Sequence, residues 1–293
     1  MGRDSCSTVG LLLEHILLHL RIELINFIKF PVNFPSEEAQ QKEKIYVIGS
    51  ANGLICFSVG DYPSSRPNDW YDFRFGFDPK NDDYKIVKVI TVEHEQSVEW
   101  LQVEVYSMRL GCWKLITQSP PSHYHYLHIG GDIHVCVDGY LHWLCGSHDD
   151  LRKFQSIVAF DLAAESFSEI SLPDPMNTVD YQSRQLVNLG VFDGKLCVIS
   201  CARGDCDCEV WVMDQYGSWV KNGFSHFHKD DIYPYGFTLK NNFIYEDCKE
   251  VIHYLYDPSA PFNKVKPFPK HYVGDTIIIP YVESLVWVTP PTC

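Results

Sequence analysis

Four cysteines crowd one stretch of this chain: Cys197, Cys201, Cys206 and Cys208. A structural zinc site needs four sulfur or nitrogen ligands converging on one point. Here the spacing is C-x3-C-x4-C-x-C, not the paired C-x2-C knuckles that present two sulfurs from one turn. Cys197 falls in an apolar, strand-like run and Ala202-Arg203-Gly204-Asp205 reads as a hairpin tip. The four thiols are therefore expected to be incidental to the strands. His123, His125, His128 and His134 form a second cluster. On a strand His123 and His125 share a face, but no carboxylate pair is placed to complete a site, so they read as loop histidines. Asn81-Asp82-Asp83 and Asp149-Asp150 lack the D-x-D-x-D-G frame of a calcium loop and read as hairpin tips. No metal ligand is assigned.

Enzyme signatures give no more. The chain contains no G-x-S-x-G elbow, no G-x-x-x-x-G-K-[ST] loop, no H-E-x-x-H and no dinucleotide fingerprint. No catalytic residue and no cofactor is assigned, and the chain is expected not to be an enzyme.

The elements that carry these residues follow from composition and pattern. The chain has 293 residues, 45% hydrophobic and 21% charged, which is a globular composition. Lys+Arg 24 against Asp+Glu 38 gives a formal charge of −14. That mean field repels phosphate backbones and anionic lipid, so neither nucleic acid nor a membrane is expected as partner. Eleven cysteines, odd in number and scattered through runs such as Leu54-Ile55-Cys56-Phe57, read as buried free thiols. Such usage suits a reducing compartment, cytoplasm or nucleus, better than a disulfide framework.

Residues 9–30 are rich in Leu and Ile, but Glu14, Arg21, Glu23 and Lys29 interrupt them. They make a poor membrane span and a poor signal peptide. Leu13, Ile16, Leu17, Leu20, Leu24 and Phe27 recur at helical spacing, which predicts an amphipathic helix ending before Pro31. The organisation read here is residues 1–30 as that helix, 31–44 as a linker and 45–293 as one strand-rich domain.

That domain repeats. Asn52-Gly53, Asp138-Gly139 and Asp193-Gly194 each precede an apolar run, with a degenerate copy at Asn241-Asn242. Such pairs tolerate the positive φ of tight hairpins. A second element runs from Tyr106 to Trp113, Phe160 to Phe167, Met213 to Trp219 and Tyr256 to Phe262. Units of roughly 40–55 residues built from strands predict a β-propeller of about five or six blades. In that fold Trp113, Phe167 and Trp219 are expected to be mostly buried at equivalent places.

Residues 45–293 resemble the F-box-associated, kelch-like domain of plant F-box proteins, including the S-locus type. The matching segments include Ile48-Gly49-Ser50-Ala51-Asn52-Gly53-Leu54-Ile55-Cys56 and Phe75-Gly76-Phe77-Asp78-Pro79-Lys80-Asn81-Asp82-Asp83-Tyr84-Lys85-Ile86-Val87. Val103-Glu104-Val105-Tyr106-Ser107, Asp138-Gly139-Tyr140-Leu141-His142-Trp143, Phe160-Asp161-Leu162, Glu209-Val210-Trp211-Val212-Met213 and Tyr281-Val282-Glu283-Ser284-Leu285-Val286 follow in family order. The family's Trp-Asn-Pro element is missing after Phe57, which predicts a short or irregular first blade. Of the F-box, His15-Ile16-Leu17-Leu18-His19-Leu20-Arg21-Ile22-Glu23-Leu24-Ile25 keeps the hydrophobic frame and loses its Pro, Arg and Lys. It is either a degenerate half F-box or a chance match of an amphipathic helix.

The resemblance implies a substrate receptor of a Skp–cullin–RING ubiquitin ligase, with a target protein on the propeller. Leu13, Ile16, Leu17, Leu20, Leu24 and Phe27 are then the candidate face for the Skp-type adaptor, and the target-binding residues are not assigned. The alternatives are a binding-only propeller that recruits no ligase and, remotely, a propeller enzyme. Ile277-Ile278-Ile279 and Leu285-Val286-Trp287-Val288 are expected to return as strands near Ile45 to Phe57.

Overall fold

A computed structural model describes residues 9–10, 45–59, 69–94, 97–118, 124–125, 134–147, 154–174, 185–202, 208–215, 217–224, 232–247, 249, 252–257 and 265–268. These residues form five antiparallel sheets and no helix. The first sheet holds β2 (Ile45–Ala51) and β3 (Leu54–Val59), with β1 (Val9–Gly10) on the outer side of β3. The second is β4 (Asp69–Asp78), β5 (Asp83–His94), β6 (Ser97–Ser107) and β7 (Cys112–Ile116) in sequence order. In the third, β9 (His134–Val137), β10 (Tyr140–Ser147), β11 (Phe154–Asp161) and β12 (Ser166–Ser171) pair in turn. There β8 (Tyr124–His125) joins β10 on the same edge as β9. The fourth runs β13 (Gln185–Phe192), β14 (Lys195–Ala202), β15 (Cys208–Gln215), β16 (Ser218–Phe224). The fifth runs β17 (Ile232–Phe237), β18 (Phe243–Asp247), β19 (Ile252–Tyr256), β20 (Val265–Phe268).

The first strands of successive sheets, β2, β4, β9, β13 and β17, lie side by side. This is the radial stacking of a β-propeller. Each seam between sheets has its own core, because side chains alternate across a strand. On β5, Ile86 faces the first sheet while Val87 and Val89 face the third. On β11, Val158 and Phe160 face the second sheet, and Ile157 and Ala159 the fourth. On β14, Val198 faces the third sheet, and Cys197, Ile199 and Cys201 the fifth. Burial on both faces explains why these strands read as nearly unbroken apolar runs rather than alternating ones.

The second repeat element is the hairpin from third to fourth strand. Its register is constant: Tyr106 opposes Trp113, Phe160 opposes Phe167, Met213 opposes Trp219 and Tyr256 opposes Val265. The fourth copy therefore ends on Val265, three residues beyond Phe262. Burial is not constant. Phe167 is 8% exposed and packs on Phe160 and Trp143, whereas Trp113 is 40% exposed and Trp219 is half-buried. Trp113 shares its face with Tyr106, which packs toward the first sheet. The described part of that sheet has two long strands and the two-residue β1, and among the described residues nothing covers the outer half of this face.

Two expectations meet the structure only at their edges. Within the segment 1–30 read as helical, Val9–Gly10 are instead a strand, pairing with Ser58 and Phe57. An unpaired sheet edge offers backbone partners, and Gly10 favours no helix. Leu13, Ile16, Leu17, Leu20, Leu24 and Phe27 lie outside the described residues, as do the linker and both C-terminal runs, 277–279 and 285–288.

Candidate target-binding faces

Strand alternation gives the propeller two unlike ends. The hairpins from first to second and from third to fourth strands fall together at one end. Asn52-Gly53, Asp138-Gly139 and Asp193-Gly194 all have positive φ at both turn positions, the two-residue hairpin that their side chains tolerate. Neighbouring turns touch. The Tyr84 hydroxyl lies 3.3 Å from the Asn52 carbonyl, and the Asp193 N–H donates to Asn241 Oδ1 at 2.8 Å. A Cβ on Gly139 would stand 2.7 Å from Pro79 Cδ.

Aspartates rigidify the same end. Asp78 Oδ1 accepts from the N–H groups of Lys80 and Asn81 at 3.0 and 3.2 Å. Asp161 Oδ1 accepts from Ala163 and Ala164 at 2.8 and 2.9 Å. Burial pushes both carboxyls up, but hydrogen bonds outweigh it and hold both below the usual carboxylate range. Asn81-Asp82-Asp83 is thus a turn and a strand start. Asp83 is committed to the Ser107 hydroxyl and to the Arg109 N–H at 2.9 Å.

Lys85 ties this end across two sheets. Its ammonium meets Asp78 Oδ2 at 3.1 Å, Glu165 Oε1 at 3.4 Å and the Leu162 carbonyl at 2.5 Å. Lysine and Asp78 are 5% and 0% exposed, so a buried charge of the second sheet is neutralised partly by the turn of the third. The segment Phe75 to Val87 carried the family resemblance, and this clamp is what its Asp and Lys do. Sequence reasoning could not find it, because Leu162 lies 77 residues from Lys85.

Along the axis, inner strands are satisfied by side chains of the adjoining sheet. His134 Nε2 lies 3.1 Å from the Phe75 N–H and 3.2 Å from its carbonyl, accepting from one or donating to the other according to its tautomer. Asn188 Nδ2 donates to the Pro234 carbonyl at 2.8 Å. Arg74 pairs with Asp72 and lies 4.1 Å over the Trp143 ring. His134, one of the four clustered histidines, is therefore a backbone partner on β9. His125 lies on β8, while His123 and His128 fall outside the described residues, as does Asp149-Asp150.

The cysteine cluster divides. Cys201 and Cys208 are joined by a disulfide, which corrects the expectation of free thiols there. They are directly opposed on paired strands, and spacing alone does not reveal cross-strand register. Cys197 is a buried free thiol whose pKa burial pushes up. Cys206 lies outside the described residues. Among the described residues no group of three or more His, Cys, Asp or Glu could hold a metal ion.

A family model for the F-box associated beta propeller domain matches residues 29–259. The chain belongs to the F-box-associated β-propeller family. Its relatives include F-box protein CPR1 of Arabidopsis thaliana, 31% identical over 215 residues, 60% of this chain and 51% of that protein. F-box protein At3g07870 of the same plant is 27% identical over 277 residues, covering 75% and 63%. F-box/kelch-repeat protein At3g23880, also from that plant, is 25% identical over 201 residues, covering 60% and 51%. The chain spans less than two thirds of the length of these relatives.

At the other end of the F-box-associated propeller the described strands break off, before residues 60–68, 148–153, 175–184, 203–207 and 225–231, all outside the described residues.

Proposed function

We propose that this chain is the target-recognition part of an F-box-type subunit of a Skp–cullin–RING ubiquitin ligase. The observation that carries this reading is the match of residues 29–259 to the F-box associated propeller, supported by relatives that are themselves named F-box proteins. The chain supplies proximity rather than chemistry: it holds a target protein while a partner enzyme transfers ubiquitin. The target binds at the end of the propeller opposite the tight turns, because short, mutually bonded hairpins leave little room for variation while longer connections carry it. With a formal charge of −14, a basic target is steered toward the protein in its approach. The compartment proposed is cytoplasm or nucleus.

Adaptor docking falls to Leu13, Ile16, Leu17, Leu20, Leu24 and Phe27. The second reading, binding without ligase recruitment, is favoured by the departure of residues 15–25 from the F-box frame. The two separate when the full chain is passed over an immobilised Skp-type adaptor at micromolar concentration. Retention that Leu17→Asp with Leu20→Asp abolishes, without unfolding the propeller, supports the ligase subunit. Passage of the wild-type chain without retention leaves the binding-only reading.

A further inference from the structure

We propose that Cys201–Cys208 is a dithiol-reversible clamp on the seam between the fourth and fifth sheets. The two residues face each other across β14 and β15 and form the last pair of that ladder, which runs from Cys197 opposite Val212 to Cys201 opposite Cys208. Both belong to the core of the seam, with Ile232 at the start of β17 and Tyr254 on β19. The bond therefore fixes two strands to each other at the place where they pack on the next sheet.

Among the other described thiols, Cys56, Cys145 and Cys197 are buried and Cys136 is partly buried, while Cys112 is exposed on β7 of the second sheet, away from this seam. Burial pushes up the pKa of Cys197, on the same face of β14 four residues earlier, and those of Cys56 (to about 12) and Cys136 (to about 11). Groups so held stay protonated, and only a thiolate exchanges with a disulfide.

The reaction needs a vicinal dithiol as reductant. Its thiolate attacks one sulfur of the pair, the S–S bond breaks, and the departing cysteine thiolate takes a proton. The second thiol of the reductant then resolves the mixed disulfide and releases the other cysteine as a thiol. The protein gains two electrons and two protons and the dithiol becomes a disulfide. A disulfide oxidant reverses each step. Two separate thiols sit farther apart than two bonded sulfurs. In a seam packed to interior density that separation must displace β15 or Ile232. Since Cys201 and Cys208 are 1% and 2% exposed, the reductant reaches them only when the ladder end opens. The clamp rests on the geometry alone and not on the function proposed above.

The test uses the full chain treated with an oxidised dithiol, then denatured and alkylated without reductant. Cys201 and Cys208 are expected to escape modification, and both to be modified after prior reduction with dithiothreitol. The rate of reduction should level off as dithiothreitol is raised, at the rate of ladder opening. Amide exchange around Cys201, Cys208 and Ile232 should quicken at least tenfold on reduction, and Cys206→Ser should change none of this. Alkylation of both without reductant overturns the proposal, as does loss of protection in Cys206→Ser. Unchanged amide exchange on reduction overturns it equally. Reduction of the wild-type chain carries the test if Cys201→Ser with Cys208→Ser fails to fold.

Discussion

Where the second and third sheets meet, the second sheet presents buried valines, Val87, Val89, Val103 and Val105, to a mixed set of Leu141, Trp143, Val158, Phe160, Leu162 and Phe167 on the third. At the turn end of the same seam a lysine is buried between carboxylates. Where the fourth and fifth sheets meet, the facing set is aromatic. Phe237, Phe243, Tyr245, Tyr254 and Tyr256 stand in sequence, with successive ring centroids 5.3, 5.7 and 5.4 Å apart from Phe237 to Tyr254. On the fourth-sheet side of this seam a disulfide, not an ion pair, ties β14 to β15. The repeat dictates which positions face a neighbour and leaves open which chemistry fills them. One seam should therefore answer to charge and the other to redox state.

The largest effect should come from the charged seam. Lys85→Met leaves Asp78 buried without its ammonium and should cost about 3–5 kcal/mol, read from urea unfolding. Combining it with Asp78→Asn should recover a good part of the loss, because an uncharged pair has no desolvation to offset. A single variant costing under about 1 kcal/mol would show that water enters this seam.

Acid should act on the third sheet next. Burial pushes His142 down to about 4, against the carbonyls of Val135 and Tyr140, which pull it up. The unfolded chain, with an ordinary value of 6.5, binds this proton first as the pH falls. Stability is then full above pH 6.5 and declines toward pH 4, by about 3 kcal/mol in all. Asp78 and Asp161, held below the usual range, add losses of the same sign at lower pH still. His142→Asn should flatten the slope between pH 4 and 6.5. A slope unchanged in that variant would move the acid sensitivity elsewhere.

Reduction is the matching test of the aromatic seam. Opening a crosslink between residues seven apart in sequence should cost about 2–3 kcal/mol. Dithiothreitol should lower the melting temperature of the wild type and leave that of the double serine variant unmoved. Equal sensitivity in both would place the effect on another cysteine.

The sequence made the repeat legible wherever local geometry demands a residue type. Positive φ at Asn52, Asp138, Asp193 and Asn241 leaves few alternatives to Asn, Asp and Gly, so these turns announce themselves. The hairpin from Tyr106 to Trp113 was legible from its paired aromatics, while the fourth copy was misplaced because Val265, not an aromatic, takes the position. What depended on partners distant in the chain was hidden. Lys85 meets Leu162, and Trp219 donates its indole N–H to the Ser171 carbonyl, contacts that no spacing reveals. Four cysteines within twelve residues allow several pairings, and only strand register selects Cys201 with Cys208.

The smallest effect is the most informative about the first sheet. Trp113 and Phe167 hold the same register position, and the sheet each faces decides how deeply it is buried. Phe167→Ala removes a side chain enclosed by Phe160 and Trp143 and should cost about 3–5 kcal/mol. Trp113→Ala should cost only about 1–2 kcal/mol, because water already reaches its ring and no closed cavity forms. Leu115, two residues on and 56% exposed, lies on the same face and shares that openness. The comparison breaks if thermal melts give the two alanine variants equal losses. Trp113 would then be covered in solution by further strands on the outer side of β3, where β1 now supplies two residues. Residues 277–279 and 285–288, apolar and strand-like in sequence, are the segments of this chain with the length and character to do so. Deleting residues 269–293 would then abolish the excess cost of Trp113→Ala. If the costs differ as expected, the same deletion should leave the effect of Trp113→Ala unchanged, and the exposed Trp113 face is a true feature of this propeller.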